Sequence, residues 1–143
     1  MNATILKFGY PDSCLAEYEY WVVLLRPKQV TAGCMVLACK EDVVSLAGVS
    51  PAAGQELPIA ARGIERALGA SLRPAKLNYL ALMMVDPHVH FHVIPRYSEP
   101  VQVGAIKMTD PGWPKPPDLQ AVQDLMPSDT EHLRQLLRNA WPQ

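Results

Sequence analysis

Apolar residues recur every second position in some stretches of this 143-residue chain and every third or fourth in others, and these changes of period divide it into elements. The opening segment, Ala3 to Phe8, reads as a strand that ends in the turn Gly9-Tyr10-Pro11-Asp12. Glu17 to Leu25 finishes in the apolar run Trp21-Val22-Val23-Leu24-Leu25, which Arg26-Pro27 stops, and Cys34 to Cys39 is its expected neighbour. Ser50-Pro51 supplies an N-cap and a first-turn proline for a helix through about Leu68, closed near Gly69; Pro58 leaves a later start open. Leu77 to Val85 is the next strand, and Asp86-Pro87 turns the chain back into His88 to Ile94. Further on, Pro111 to Pro117 holds too much proline for a ladder or a helix, whereas Ser128-Asp129-Thr130-Glu131 is a capping-box pattern for a last helix to about Asn139. Early strands, one main helix, a strand hairpin and a C-terminal helix predict an α+β fold on a single antiparallel sheet.

The returning strand holds three of the four histidines, at every second residue. Side chains alternate faces along a strand, so His88, His90 and His92 are expected on one side and Val89, Phe91 and Val93 on the other. On a helix the three rings would scatter around the axis. Pro95 argues for a short strand. A neutral imidazole suits attack on phosphorus near pH 7, because an ordinary pKa of about 6.5 leaves much of it unprotonated, and flanking imidazoles can bind phosphate or protonate a leaving group.

With φ standing for an apolar residue, His88 to Ile94 fits His-φ-His-φ-His-φ-φ at every position and so resembles the histidine triad (HIT) family. Pro95-Arg96 is similar to its fragile histidine triad branch, the dinucleoside polyphosphate hydrolases. Looser similarity runs from about Tyr20 to Tyr97. The resemblance implies a HIT-like fold and a covalent nucleotidyl intermediate on the middle histidine, His90. It further implies that His88 orients His90, with the His88 carbonyl receiving the His90 Nδ1 proton, and that His92 contacts phosphate or leaving group. Water attack would complete hydrolysis and another acceptor would give transfer. No cofactor is required, although a divalent metal can accompany the nucleotide. Relatives pair as homodimers, and a homodimer is expected here, the more so because the strands Trp21 to Leu25 and Leu77 to Val85 are apolar on both faces.

Length and charge fit this reading. A chain of 143 residues that is 49% hydrophobic supports one domain with a real core, expected over about residues 3–97, with a proline-rich segment and C-terminal helix over 99–143. A net charge of -1 gives no general basic field, so no nucleic-acid partner is expected. Cys14, Cys34 and Cys39 are an odd set without close pair spacing, and the chain opens without a leader pattern, which favours a reducing cytoplasmic setting. No stretch suits a membrane span.

Two other classes compete with an enzyme. A nucleotide-binding module would keep the fold without turnover, and a metal-binding protein would use the histidines as ligands; against the latter, no Cys, Asp or Glu has clear ligand spacing beside them. His132 stands alone on the last predicted helix and is left out of the site. Departures from the family pattern touch the substrate contacts. Asp86-Pro87 replaces the Gly-Gln-Ser or Gly-Gln-Thr element of better-known members, Cys34 stands where Pro-Gly-His places histidine, and Arg26 stands near the usual Asn. Arg26, Lys28 and Arg96 are therefore candidate phosphate ligands, with Cys34 near them. Phe8, Tyr10, Leu24 and Leu25 are base-pocket candidates by resemblance, and Trp113 could cover the site or pack against a second subunit. Pro87 cannot adopt the positive φ of a tight hairpin turn, so a four-residue loop around Asp86-Pro87 is expected, which puts Ala81 on the histidine face and leaves room there for phosphate; a one-residue slip would put Asn78 there instead.

Overall fold

The computed structural model describes residues 1–143. A five-stranded antiparallel sheet in the order β1-β2-β3-β5-β4 is formed by β1 (Cys14–Glu17), β2 (Trp21–Leu25), β3 (Met35–Cys39), β4 (Lys76–Leu80) and β5 (His90–Arg96). Helix α2 (Pro51–Gly69) connects β3 to β4, and α3 (Pro127–Ala140) follows a separate hairpin of β6 (Val101–Val103) and β7 (Ile106–Met108). The α+β architecture with a main and a C-terminal helix is as expected. The hairpin was not expected. Its sequence, Val-Gln-Val-Gly-Ala-Ile-Lys-Met, alternates around Gly104, which adopts a positive φ of 56°, but each arm has only three residues.

The first segment corrects another expectation. Ala3–Lys7 is a short helix, α1, rather than a strand. Asn2 decides this locally and at long range: its side-chain oxygen accepts from the Ile5 amide, while its amide nitrogen donates to the carbonyls of Cys39 and Glu41. Helix α2 starts at Pro51 after the N-cap Ser50, whose hydroxyl accepts from the Ala53 amide. Pro58 lies inside it on the exposed side, opposite the buried stripe of Ala53, Ala60, Ile64 and Ala67. For α3, the cap is two residues earlier than the Ser128 that the sequence pattern suggests: the Asp129 carboxylate accepts from the Met126 amide, so Pro127 is the first helical residue.

The two faces of the sheet are covered differently. Trp21, Val23, Leu25, Met35, Leu37, Val89 and Val93 pack with α2 and α3 residues into the main core, and the Trp21 indole donates to the Ala53 carbonyl at 2.8 Å. On the opposite face Val22, Leu24, Val36 and Ala38 lie under Ile5 of α1. His90 pairs with Ala38 and His92 with Val36, which places both rings on this second face beside α1.

β4 is shorter than expected and pairs differently. It leaves the sheet after Leu80, and its partners are Leu80 with His92, Asn78 with Ile94 and Lys76 with Arg96. The Asn78 register therefore holds, and the Ala81 register fails. Residues 81–89 form a wide excursion between the strands, with Met83 at a positive φ of 44°, so the geometry of a four-residue loop never applies. β5 also continues through Pro95 to Arg96, where Thr31 supplies a hydroxyl donor to the Pro95 carbonyl at 2.6 Å.

Candidate active site

Because β4 ends at Leu80, no strand lies beside His90 on that side, and a cleft of about 610 Å³ opens over the sheet. His90 and His92 form its floor. Lys7 and Phe8 border it next to α1, Arg26, Pro27 and Lys28 come from beyond β2, and Leu82 to Asp86 come from beyond β4. Leu119, Gln120 and Val122 of the C-terminal segment complete the lining. Strand order puts Arg26 and Lys28 on one side of β5 and the apolar 82–85 segment on the other.

His90 is held in one tautomer. Its Nδ1 lies 2.6 Å from the His88 carbonyl oxygen. A carbonyl only accepts, so Nδ1 carries the proton, and in the neutral ring Nε2 is the nitrogen with the lone pair. The ring is 1% exposed and sits against Phe8 and His92, with centroids 5.7 Å and 5.0 Å away. These contacts fix the direction in which Nε2 points.

His92 has a different environment. Its Nδ1 is buried with no hydrogen-bond partner, as is Nε of Arg26. Burial, then the Arg26 charge, then His90 push the His92 imidazole down to about 4, so it is neutral near pH 7. A buried polar atom without a partner is a place where a bound ligand gains a hydrogen bond at no desolvation cost to the protein. The Arg26 guanidinium is already oriented, since Nη1 donates to the Lys28 carbonyl at 2.6 Å.

The remaining predicted residues separate into those at the cleft and those away from it. His88 precedes β5 rather than lying in it, and its ring is occupied: Nδ1 meets the Thr4 hydroxyl at 2.9 Å and Nε2 meets the Asp42 carboxylate at 2.8 Å. Arg26 and Lys28 line the cleft as candidate ligands; Arg96 does not. Arg96 is locked by Asp110 at 2.7 Å, by Asn78 at 2.9 Å and by the Lys115 carbonyl at 2.8 Å. Burial alone would raise the Asp110 carboxyl, but hydrogen bonds from Arg96 and the Tyr97 and Gly112 amides, with the Arg96 charge, hold it below its ordinary value. Cys34 is fully buried, its sulfur donating to the Thr31 carbonyl, so it is no substrate contact. Ala81 is exposed and outside the cleft lining. Of the base-pocket candidates only Phe8 lines the cleft; Leu24 is core under α1, Leu25 faces the other side, and the Tyr10 hydroxyl donates to Glu17. Trp113 stays outside, whereas Leu119 to Val122 further along the same segment reach in.

Sequence reasoning missed Gln29, which shapes the basic side. Its side chain is 1% exposed; Oε1 accepts from the Gly33 and Cys34 amides and Nε2 donates to the Arg26 and Cys34 carbonyls. The Gln29 carbonyl also accepts from the Gln123 amide at 2.8 Å, which ties the C-terminal segment beside Lys28. A glutamine among turn residues gives no signal of this kind by itself. Lys7 and Asp86, paired at 2.6 Å, were likewise hidden by their separation in sequence.

Solved structures with the same arrangement of elements include a histidine triad protein from Bradyrhizobium japonicum, with a TM-score of 0.73 and 18% identity over 99% of this chain and 96% of that one. A histidine triad protein from Sinorhizobium meliloti has a TM-score of 0.75 and 15% identity over 98% of this chain and 95% of that one. A hypothetical histidine triad nucleotide-binding protein from Sulfolobus tokodaii has a TM-score of 0.73 and 15% identity over 96% and 88% of the two chains. At such identities the likeness concerns the fold. No curated protein matches the chain. The model of the HIT domain, however, matches residues 8–99, which include both cleft histidines, the basic side of the cleft and the whole five-stranded sheet, and on that match the chain belongs to the HIT domain family.

Proposed function

We propose that this chain is a nucleotide hydrolase or nucleotidyl transferase acting on a phosphoanhydride or phosphoramidate of a nucleoside phosphate. The observation that carries this reading is the 2.6 Å contact between His90 Nδ1 and the His88 carbonyl, with the His90 ring at the floor of the cleft. His90 Nε2 attacks phosphorus, forming a P–N bond while the bond from phosphorus to the leaving group breaks; the leaving group departs with the electron pair and takes up a proton. Water then attacks the same phosphorus, the P–N bond to His90 breaks, and the nucleoside monophosphate leaves. Another acceptor in place of water gives transfer. Arg26 and Lys28 fit the phosphate, since a guanidinium and an ammonium on one side of the cleft oppose its charge. The Pro95-Arg96 sequence is similar to the fragile histidine triad branch, so dinucleoside polyphosphates are among the first substrates to test. A homodimer built on the outer edge of β4, which has no partner strand within the chain, belongs to the same reading.

The test is a covalent trap. The protein is mixed with adenosine 5′-phosphoramidate or diadenosine polyphosphate labelled at the α-phosphorus, quenched, and digested. Acid-labile label on the peptide that carries His90, absent from His90→Ala, is the expected result. Label retained by His90→Ala, or turnover equal to wild type, would overturn it. Nucleotide binding without label or turnover in the wild type would leave only the binding module.

A further inference from the structure

Thr4 touches residue 88 twice. Its hydroxyl lies 2.9 Å from His88 Nδ1 and 3.4 Å from the His88 backbone nitrogen. Asp42 has only acceptors to offer His88 Nε2 at 2.8 Å, so Nε2 bears the proton and, in the neutral ring, Nδ1 is the acceptor. The Thr4 hydroxyl then donates to the ring while its lone pair receives the His88 backbone N–H. Ring and backbone of one residue are gripped from one oxygen. The carbonyl of that same residue holds the His90 Nδ1 proton. Thr4 is itself fixed: it is 2% exposed on α1, and the N-cap Asn2 binds that helix to the carbonyls of Cys39 and Glu41.

We infer that Thr4 is a positioning residue for the nucleophile, acting through His88 on the tautomer and orientation of His90. Thr4 precedes residues 8–99, the stretch matched by the HIT domain, so this support comes from a part of the chain outside the family's shared pattern. The inference rests on His90 being the nucleophile, but the orientation itself is measurable without turnover.

Thr4→Val keeps the shape and removes the hydroxyl, Thr4→Ser keeps the hydroxyl, and Thr4→Ala removes it with a better helix former should valine fold poorly. In the proteins labelled with 15N-histidine, nuclear magnetic resonance of the wild type is expected to show His90 as the Nδ1–H form. Thr4→Val and Thr4→Ala should mix the two tautomers, and Thr4→Ser should restore one. With a turned-over substrate, kcat should fall about ten- to a hundredfold in Thr4→Val, as for other outer partners that orient a histidine, with KM within about twofold and recovery in Thr4→Ser. An unchanged His90 tautomer and kcat in both hydroxyl-free variants would overturn the inference. So would equal loss in Thr4→Ser and Thr4→Val, which would mark a packing role. If the wild type turns over none of the substrates but its His90 signal follows the Thr4 hydroxyl, the proposed reaction fails and the positioning role stands.

Discussion

At the scale of single residues, His92 makes a prediction about pH. Its imidazole is held down to about 4, first by burial and then by Arg26, whereas a histidine in the unfolded chain titrates near 6.5. Between about 6.5 and about 4 the unfolded chain binds a proton that folded His92 refuses, so its contribution to stability is intact above that window and is lost as the pH falls through it. Urea denaturation at a series of pH values should show this decline, and His92→Gln should flatten it. An unaltered slope in the variant would show that other groups cause it. On the other side of the cleft, Arg26→Ala should raise KM about tenfold and Lys28→Ala by less. The difference follows from burial: Arg26 Nε is enclosed without a partner, while Lys28 is exposed to solvent. Equal KM values in Arg26→Ala and wild type, measured in steady-state assays, would remove Arg26 from the substrate contacts.

At the scale of elements, the segment beyond β7 is pinned to β5 by the buried pair of Arg96 and Asp110, whose side chains are 5% and 1% exposed. Asp110→Asn strands a buried guanidinium, and breaking such a pair costs about 3–5 kcal/mol. A fall of that order in chemical denaturation is expected, with weaker substrate binding because Leu119 to Val122 belong to the segment that this pair anchors. A change under about 0.5 kcal/mol would contradict the account. In α2 the reverse applies. Pro58 removes a hydrogen bond to the Gly54 carbonyl on the exposed side, so Pro58→Ala should stabilise the protein by about 1–2 kcal/mol, less the entropy that proline withholds from the unfolded chain. Thermal denaturation reads the effect directly.

For the whole molecule, β4 leaves one edge of the sheet unpaired, with Tyr79 38% exposed, and the proposed homodimer would close it. Light scattering at micromolar concentration should give twice the monomer mass, and replacing Tyr79 with lysine should shift the mass toward one chain. A wild-type monomer at that concentration would exclude the assembly. The need for a dimer is reduced by what α1 and the C-terminal segment already cover on the histidine face. No helix is long and apolar enough to cross a membrane.

Local chemistry made much of this legible before any fold was known. Alternating histidines set within an apolar template identified the strand and the family, Ser50-Pro51 marked the start of α2, and the apolar run Trp21 to Leu25 marked a strand buried on both faces. Those signals lie within a few residues of one another, where the strand period and helix capping act directly. Tertiary structure decided what depends on distant partners. Ala3 to Lys7 is a helix because Asn2 caps it and docks on residues 39 and 41, and His88 is turned away from the cleft because Thr4 and Asp42 receive its ring. Arg96 is absent from the cleft because Asp110, fourteen residues on, neutralises it in the interior. The register of β4 was beyond local reading for the same reason: a shift of one residue exchanges the faces of a strand, and only the pairing of Leu80 with His92 across the finished sheet selects one of them.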